Sequence, residues 1–70
     1  PNPTSHNLTV ELGQNKALRL TLTDLTGRVV LNKENPNPTE TLDVSGLGNG
    51  MYILNIKTKS EVFSTRIVKN

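Results

Sequence analysis

The chain contains no cysteine and no tryptophan, and its only aromatic residues are Tyr52 and Phe63. The absence of cysteine excludes disulfides, thiolate metal sites and cysteine nucleophiles together. Two aromatic rings are too few to stack nucleic-acid bases, and a net charge of +2 does not point to a nucleic-acid partner. No apolar run approaches the roughly 20 residues that cross a bilayer as a helix. We therefore predict neither a nucleic-acid site nor a transmembrane segment.

The chain has 70 residues, which bounds it to a single domain, residues 1–70. It opens on Pro1 without a charged and apolar leader, so we expect a fragment of a larger secreted protein with its export signal upstream. A core this small gives modest stability. A preceding domain or a weak homodimer is a candidate source of further support.

Apolar and polar residues alternate along the sequence. Leu8, Val10 and Leu12 fall on every second residue, and the same spacing recurs at residues 18–22 and 52–56. A strand with this period turns its apolar side chains to one face. No window carries apolar residues at helical spacing for more than a turn, and alanine occurs once. The pattern predicts an all-β chain.

Turn signals divide the chain into six or seven short strands. The run Asp24-Leu25-Thr26-Gly27 places Asp at the start of a type I turn and Gly where a left-handed residue is needed, which predicts a hairpin between residues 17–23 and 28–32. Asn35-Pro36-Asn37-Pro38 lacks two backbone donors and predicts a loop. Further strands are predicted at residues 41–44, 51–58 and 62–69. Short strands at this spacing favour a sandwich of two antiparallel sheets.

The polar residues do not form a pattern that points to catalysis. The single histidine, His6, follows a proline-rich opening and is interpreted as a solvated turn residue. Asp24 and Asp43 have structural roles as acceptors for turn and loop N–H groups. The other carboxylates are spread along the chain, and a deep pocket is not expected in a domain of this size. We predict no enzymatic activity, no metal site and no cofactor.

A glycine-rich segment, residues 46–50, invites a phosphate-binding interpretation. Its spacing matches no nucleotide fingerprint, and a strand follows it where such sites need a helix N-terminus. The three glycines are instead expected to adopt positive φ in a tight loop. In that loop Leu47 is predicted to turn inward and close one end of the sandwich.

Positive charge is concentrated at the end of the chain. Residues 51–70 hold four cations against one anion, a net +3, whereas the remainder nets −1. Two interpretations stay open: a solvated edge protected by charge from sheet-to-sheet association, or a recognition strip for an acidic or strand-accepting partner. The candidate recognition residues are Arg66, Ile67, Val68 and Lys69.

Four motifs follow one another along the chain. They are Pro1-Asn2-Pro3, Asp24-Leu25-Thr26-Gly27-Arg28, Asp43-Val44-Ser45-Gly46-Leu47-Gly48-Asn49-Gly50-Met51-Tyr52 and Ile67-Val68-Lys69. In this order they resemble the C-terminal sorting domain of proteins exported by the bacterial type IX secretion system. The sequence departs from that pattern in its loop at residues 36–38 and in the single residue, Asn70, that follows the final lysine.

The resemblance implies an immunoglobulin-like β-sandwich at the C-terminus of an exported protein. An upstream cargo domain would cross the inner membrane and the periplasm, and the outer-membrane type IX machinery would carry it to the cell surface or beyond. The resemblance also implies a sortase-like peptidase that removes the domain near Pro1. The motif residues are expected to be structural, with Met51 and Tyr52 in the core; they are Pro1, Asn2, Pro3, Asp24, Gly27, Arg28, Asp43, Leu47, Gly50, Met51 and Tyr52.

Two other functions belong to different classes. An accessory carbohydrate- or surface-binding sandwich would stack sugars on exposed aromatic rings, which are scarce in this sequence. A structural spacer between domains predicts that the native chain continues past Asn70, whereas a sorting domain predicts that it ends there.

Overall fold

The computed structural model describes residues 6–13 and 16–70, and these residues form six β-strands and no helix. The strands are β1 (Asn7–Glu11), β2 (Ala17–Asp24), β3 (Val29–Glu34), β4 (Thr39–Asp43), β5 (Gly50–Thr58) and β6 (Val62–Lys69). The all-β prediction is confirmed.

The strands form two antiparallel sheets that pack as an immunoglobulin-like sandwich. One sheet has two strands in the order β1-β4, and the other has four in the order β3-β2-β5-β6. Alternating apolar residues from both sheets fill the space between them, as the period-two pattern predicts. The buried apolar side chains are Leu8, Val10, Leu12, Ala17, Leu20, Leu22, Leu42, Val44, Tyr52, Leu54 and Ile67.

The hairpin between β2 and β3 confirms the turn prediction. The N–H of Gly27 donates to the carbonyl oxygen of Asp24 at 3.0 Å, and the N–H of Asp24 donates to that of Arg28 at 3.0 Å. Gly27 has a φ of 91°, a conformation that glycine adopts without a steric penalty.

Two strand boundaries differ from the sequence prediction by two residues, and the others by one residue at most. Strand β3 continues to Glu34, and β4 begins at Thr39, two residues earlier than expected. Pairing with β1 explains the second difference, because the N–H of Leu12 donates to the carbonyl oxygen of Pro38 at 2.6 Å and holds the chain in register directly after the proline. The loop predicted at residues 35–38 is confirmed as the connection between β3 and β4.

The predicted inward triplet of Leu18, Leu20 and Leu22 is wrong at its first member. Leu18 is 42% exposed, whereas Ala17 is 3% exposed and takes the inward position. The pairing of β2 with β5 shifts register between Ala17 and Arg19. A bulge of this kind adds one residue and reverses the faces of the residues on one side of it.

Candidate functional site

Strand β6 is an outer strand of the described four-stranded sheet, and its side chains divide between the two faces of that sheet. Ile67 and Lys69 are 6% and 8% exposed and face the other layer. Arg66 and Val68 point to the opposite face, where Arg66 is exposed and Val68 half-buried. The predicted recognition residues therefore do not share one surface, and their recognition role stays a prediction.

Arg66 and Val68 share the solvent-facing side of the sheet with two residues of β5. Val68 lies directly across from Met51, and Arg66 across from Ile53. Cross-strand partners point to the same face, so these four residues form one surface, here called the outer patch. The prediction that Met51 belongs to the core is wrong: it is 39% exposed. The alternation that buries Tyr52 turns its neighbour Met51 outward.

Lys69 is a buried cation with a defined partner. Its ammonium group donates a hydrogen bond to the carbonyl oxygen of Leu47 at 3.0 Å. Its cross-strand neighbour is Gly50, which has no side chain to stand between the lysine and the loop. The final lysine of the motif therefore connects the end of β6 to the loop before β5.

That loop, residues 44–49, is closed by side chains at both of its ends. At its start, Oδ1 of Asp43 accepts hydrogen bonds from the N–H of Ser45 at 3.0 Å and from its hydroxyl at 2.6 Å. The Ser45 hydroxyl is the main reason that the pKa of Asp43 lies below its ordinary value. At its end, the Tyr52 hydroxyl donates to the carbonyl oxygen of Gly48 at 2.6 Å.

The glycine prediction for this loop holds in part. Gly50 has a positive φ of 145°, as predicted. Gly46 and Gly48 do not have positive φ, so the prediction is wrong for these two. Leu47 packs against the core, which confirms the prediction that it turns inward. The long motif from Asp43 to Tyr52 thus encodes a closed, inward-facing loop.

The Asp24 turn is organised by a single carboxylate. Oδ1 of Asp24 accepts hydrogen bonds from the hydroxyl and N–H of Thr26, at 2.6 and 2.9 Å, and from the N–H of Arg28 at 3.0 Å. The Thr26 hydroxyl is the largest cause of the lowered pKa of Asp24, and Arg28 adds an ion pair at 3.3 Å. Asp24, Gly27 and Arg28 therefore act within the hairpin.

One buried charged residue was not singled out from the sequence. Glu40 is 8% exposed, its Oε1 accepts a hydrogen bond from the N–H of Asn37 at 2.8 Å, and its Oε2 lies 3.9 Å from Nζ of Lys33. Its position two residues before the inward Leu42 is the sequence feature that predicts an inward-facing side chain at Glu40. Glu40 closes the proline loop at residues 35–38 and is structural.

The described residues hold no group of three or more histidine, cysteine or acidic side chains placed to bind a metal ion. No helix long and apolar enough to cross a membrane is found in residues 6–13 and 16–70. The opening motif of Pro1, Asn2 and Pro3 lies outside the described residues, so its structural role stays a prediction.

Comparison with known proteins gives one match and one negative result. No curated protein matches the sequence. Residues 1–70, the whole chain, match the family described as secretion system C-terminal sorting domain. The match covers the Asp24 turn, the closed loop and the terminal strand together. The chain belongs to the family of C-terminal sorting domains of the type IX secretion system.

Proposed function

We propose that this domain directs an attached cargo protein through the outer-membrane type IX machinery, which recognises the outer patch of Met51, Ile53, Arg66 and Val68. The observation that carries the proposal is the whole-chain family match, combined with the split of the terminal strand into an inward and an outward set. Ile67 and Lys69 face the inside of the domain and hold β6 in place, whereas Arg66 and Val68 face outward.

The outer patch has the chemistry of a selective protein contact. Met51 and the half-buried Ile53 and Val68 supply apolar surface beside the Arg66 guanidinium. Arginine is enriched among the residues that dominate binding energy at protein interfaces, and methionine is enriched in interfaces relative to the rest of the surface. An acidic partner with an apolar centre fits this surface.

Strand addition to β6 is the second element of the proposed recognition. The N–H of Thr58 donates to the carbonyl oxygen of Glu61 at 2.9 Å. Thr58 and Glu61 are thus a hydrogen-bonded pair, and such pairs alternate with non-bonded pairs along an antiparallel ladder. Val62 and Ser64 belong to the non-bonded pairs, so their N–H and C=O groups point away from β5. A partner strand at this end would gain affinity from backbone bonds, and the outer patch would give selectivity.

The remaining steps of the proposal concern the cargo. It passes through the periplasm, crosses the outer membrane with this domain attached, and reaches the cell surface or the medium. A sortase-like peptidase then removes the domain near Pro1. No catalytic role is proposed for the domain itself.

The carbohydrate-binding alternative is not favoured by the aromatic residues. Tyr52 is 9% exposed and is bonded through its hydroxyl, which leaves Phe63 as the one aromatic ring with substantial exposure. A single ring does not make a platform for a sugar chain.

A secretion assay tests the proposal. A signal peptide, a fluorescent protein that folds in the periplasm and this domain are fused and expressed in a Gram-negative host with a working type IX system. We expect the reporter outside the cell for the unchanged domain and in the periplasm for the double variant Arg66→Glu, Val68→Lys. Lys57→Glu, a charge reversal at another exposed position of the same sheet, is the matched control and stays secreted.

Each step of the proposal has its own contrary outcome. If the unchanged fusion is folded but stays in the periplasm, the sorting function is wrong for that host. If the double variant is secreted as well as the unchanged domain, sorting stands and the outer patch is the wrong surface. Mass spectrometry of the secreted reporter tests cleavage, since a product that still carries the domain contradicts removal by a peptidase.

A further inference from the structure

The two layers of the sandwich are unequal in width. Within the described residues β1 pairs with β4 alone, while the opposite sheet extends past β5 to β6. Phe63 and Thr65 face the narrower layer, because they lie across from the inward residues Ile56 and Leu54. Phe63 is nevertheless 44% exposed. Among the residues that the structure describes, one strand's width of inward-facing surface is therefore uncovered beside β1.

This uncovered surface is a groove between β1 and β6. It has a volume of about 290 Å³, with Leu8 and Val10 on one side and Leu54, Ile56 and Ile67 among the residues of its floor. A second depression of about 150 Å³ shares Glu11 and Ile56 with it and adds Leu12 and Phe63. The lining is mostly apolar and follows the chain from Leu8 to Leu12, about 17 Å for five residues.

The backbone of β1 offers hydrogen-bonding groups to the same groove. The N–H of Leu12 donates to Pro38, and the carbonyl oxygen of His6 accepts from Val44. The even-numbered residues of β1 therefore bond to β4, and the N–H and C=O groups of Thr9 and Glu11 point away from it. An uncovered edge beside an uncovered apolar floor is the arrangement that receives an added strand.

Arg66 lines the groove from β6 and Glu11 lines it from β1, and Glu11 is the charged residue that a strand added to β1 would meet. Glu11 lines both depressions, and its carboxylate has no hydrogen bond or ion pair among the described residues. A cross-strand neighbour with positive charge would pair with it, since opposite charges directly across a sheet attract.

We propose that this groove binds an extended segment of another polypeptide, which adds to β1 as a third strand. The segment has apolar residues at every second position, facing Ile56 and Phe63, and a lysine or arginine across from Glu11. A second copy joined β1 to β1 is not the occupant we propose, because β6 of each copy lines the groove that the two-stranded sheet of the other copy would have to enter. The proposal does not depend on the sorting function, although Arg66 of the outer patch also lines this groove.

Peptide titration of the isotope-labelled chain tests the inference. The probes are peptides of about nine residues that alternate valine and threonine, with one lysine moved through successive threonine positions. We expect saturable NMR shifts at Thr9, Glu11, Ile56 and Phe63. Amide hydrogen exchange at Thr9 and Glu11 should slow by about tenfold or more at saturation.

A charge swap supplies the specific control. Glu11→Lys should weaken binding of the lysine peptide by about two- to fivefold, and a peptide with glutamate in place of lysine should restore it. Glu61→Lys makes the same change in the β5–β6 turn and should leave binding unchanged. Thr9→Pro removes an edge N–H that β4 does not use, and should abolish binding in a chain whose remaining amide spectrum stays folded.

Three results overturn the proposal. One is the absence of saturable shifts at β1 with every peptide. Another is equal binding of a peptide with the same residues in non-alternating order, which would indicate unspecific apolar contact. The third is a set of shifts at β1 that grows with protein concentration alone, which would identify the occupant as a second copy.

Discussion

The ammonium group of Lys69 and the carbonyl oxygen of Leu47 are hydrogen-bonded at 3.0 Å, although 22 residues separate them in sequence. The bond joins the last residue of β6 to the loop before β5. Lys69 therefore has a structural role inside the domain, and this role does not require contact with a partner.

Replacing Lys69 with methionine should lower stability. Lys69→Met keeps most of the alkyl chain that packs inside the domain but leaves the Leu47 carbonyl without this donor, so we expect a loss of about 1–3 kcal/mol in the free energy of unfolding. Urea denaturation monitored by circular dichroism measures it. Lys57→Met, at an exposed position of β5, is the control and should change stability by less than about 0.5 kcal/mol. Unchanged stability together with lost secretion would mean that Lys69 is itself a contact residue.

Acid should destabilise the domain through its two turn carboxylates. Hydrogen bonds from the hydroxyls of Thr26 and Ser45 hold the pKa values of Asp24 and Asp43 below their ordinary value. A carboxylate with a lowered folded-state pKa contributes stability above its unfolded pKa, about 4, and loses it as pH falls through the folded value.

Urea midpoints measured from neutral pH to below pH 3 should therefore fall most steeply under about pH 4. The double variant Asp24→Asn, Asp43→Asn should be less stable at neutral pH and show a shallower fall in acid. Glu61→Gln changes a carboxylate outside both turns and should retain the steep fall. An acid response equally steep in the double variant would assign it to other carboxylates, of which Glu34, with its own lowered pKa, is the first to test.

Two glycines with the same open surroundings should respond differently to alanine. Gly27 has a φ of 91°, while Gly46 is not among the residues with positive φ, and an added Cβ at either position meets nothing within 4 Å. Gly27→Ala should therefore cost about 1–2 kcal/mol from backbone strain alone. Gly46→Ala should change stability by less than about 0.5 kcal/mol. Thermal unfolding of the two variants gives the comparison, and equal losses would show that the Asp24 turn rearranges without strain.

The parts of the fold that sequence predicted are those set by local periodicity and turn chemistry. Leu8, Val10 and Leu54 face the core because a strand alternates, and Asp24 with Gly27 closes a hairpin because both meet local backbone requirements. The exposed position of Leu18 was not predictable in this way, because it depends on a register shift between β2 and a strand more than 25 residues away in sequence.

The candidate site was predicted less well for the same reason. A cation near the end of a chain is ordinarily solvated, and Lys69 is buried only because β6 lies across from Gly50 and next to the Leu47 loop. The groove beside β1 depends on strand order, since it exists because β6 extends past β1. Alternation in the sequence identifies which residues share a face, and leaves open which strand covers them.

The hydroxyl of Tyr52 and the ammonium of Lys69 should be energetically coupled. They bond to the carbonyl oxygens of Gly48 and Leu47, neighbouring residues of one loop, from two adjacent strands. Tyr52→Phe alone should cost about 0.5–1.5 kcal/mol. When one bond is lost the loop moves more freely, so the other bond then restrains it less. The double variant with Lys69→Met should therefore lose less than the sum of the two single losses, by about 0.5 kcal/mol or more. Denaturant unfolding of the four proteins in the cycle measures this difference, and strict additivity would mean that the two bonds hold the loop independently.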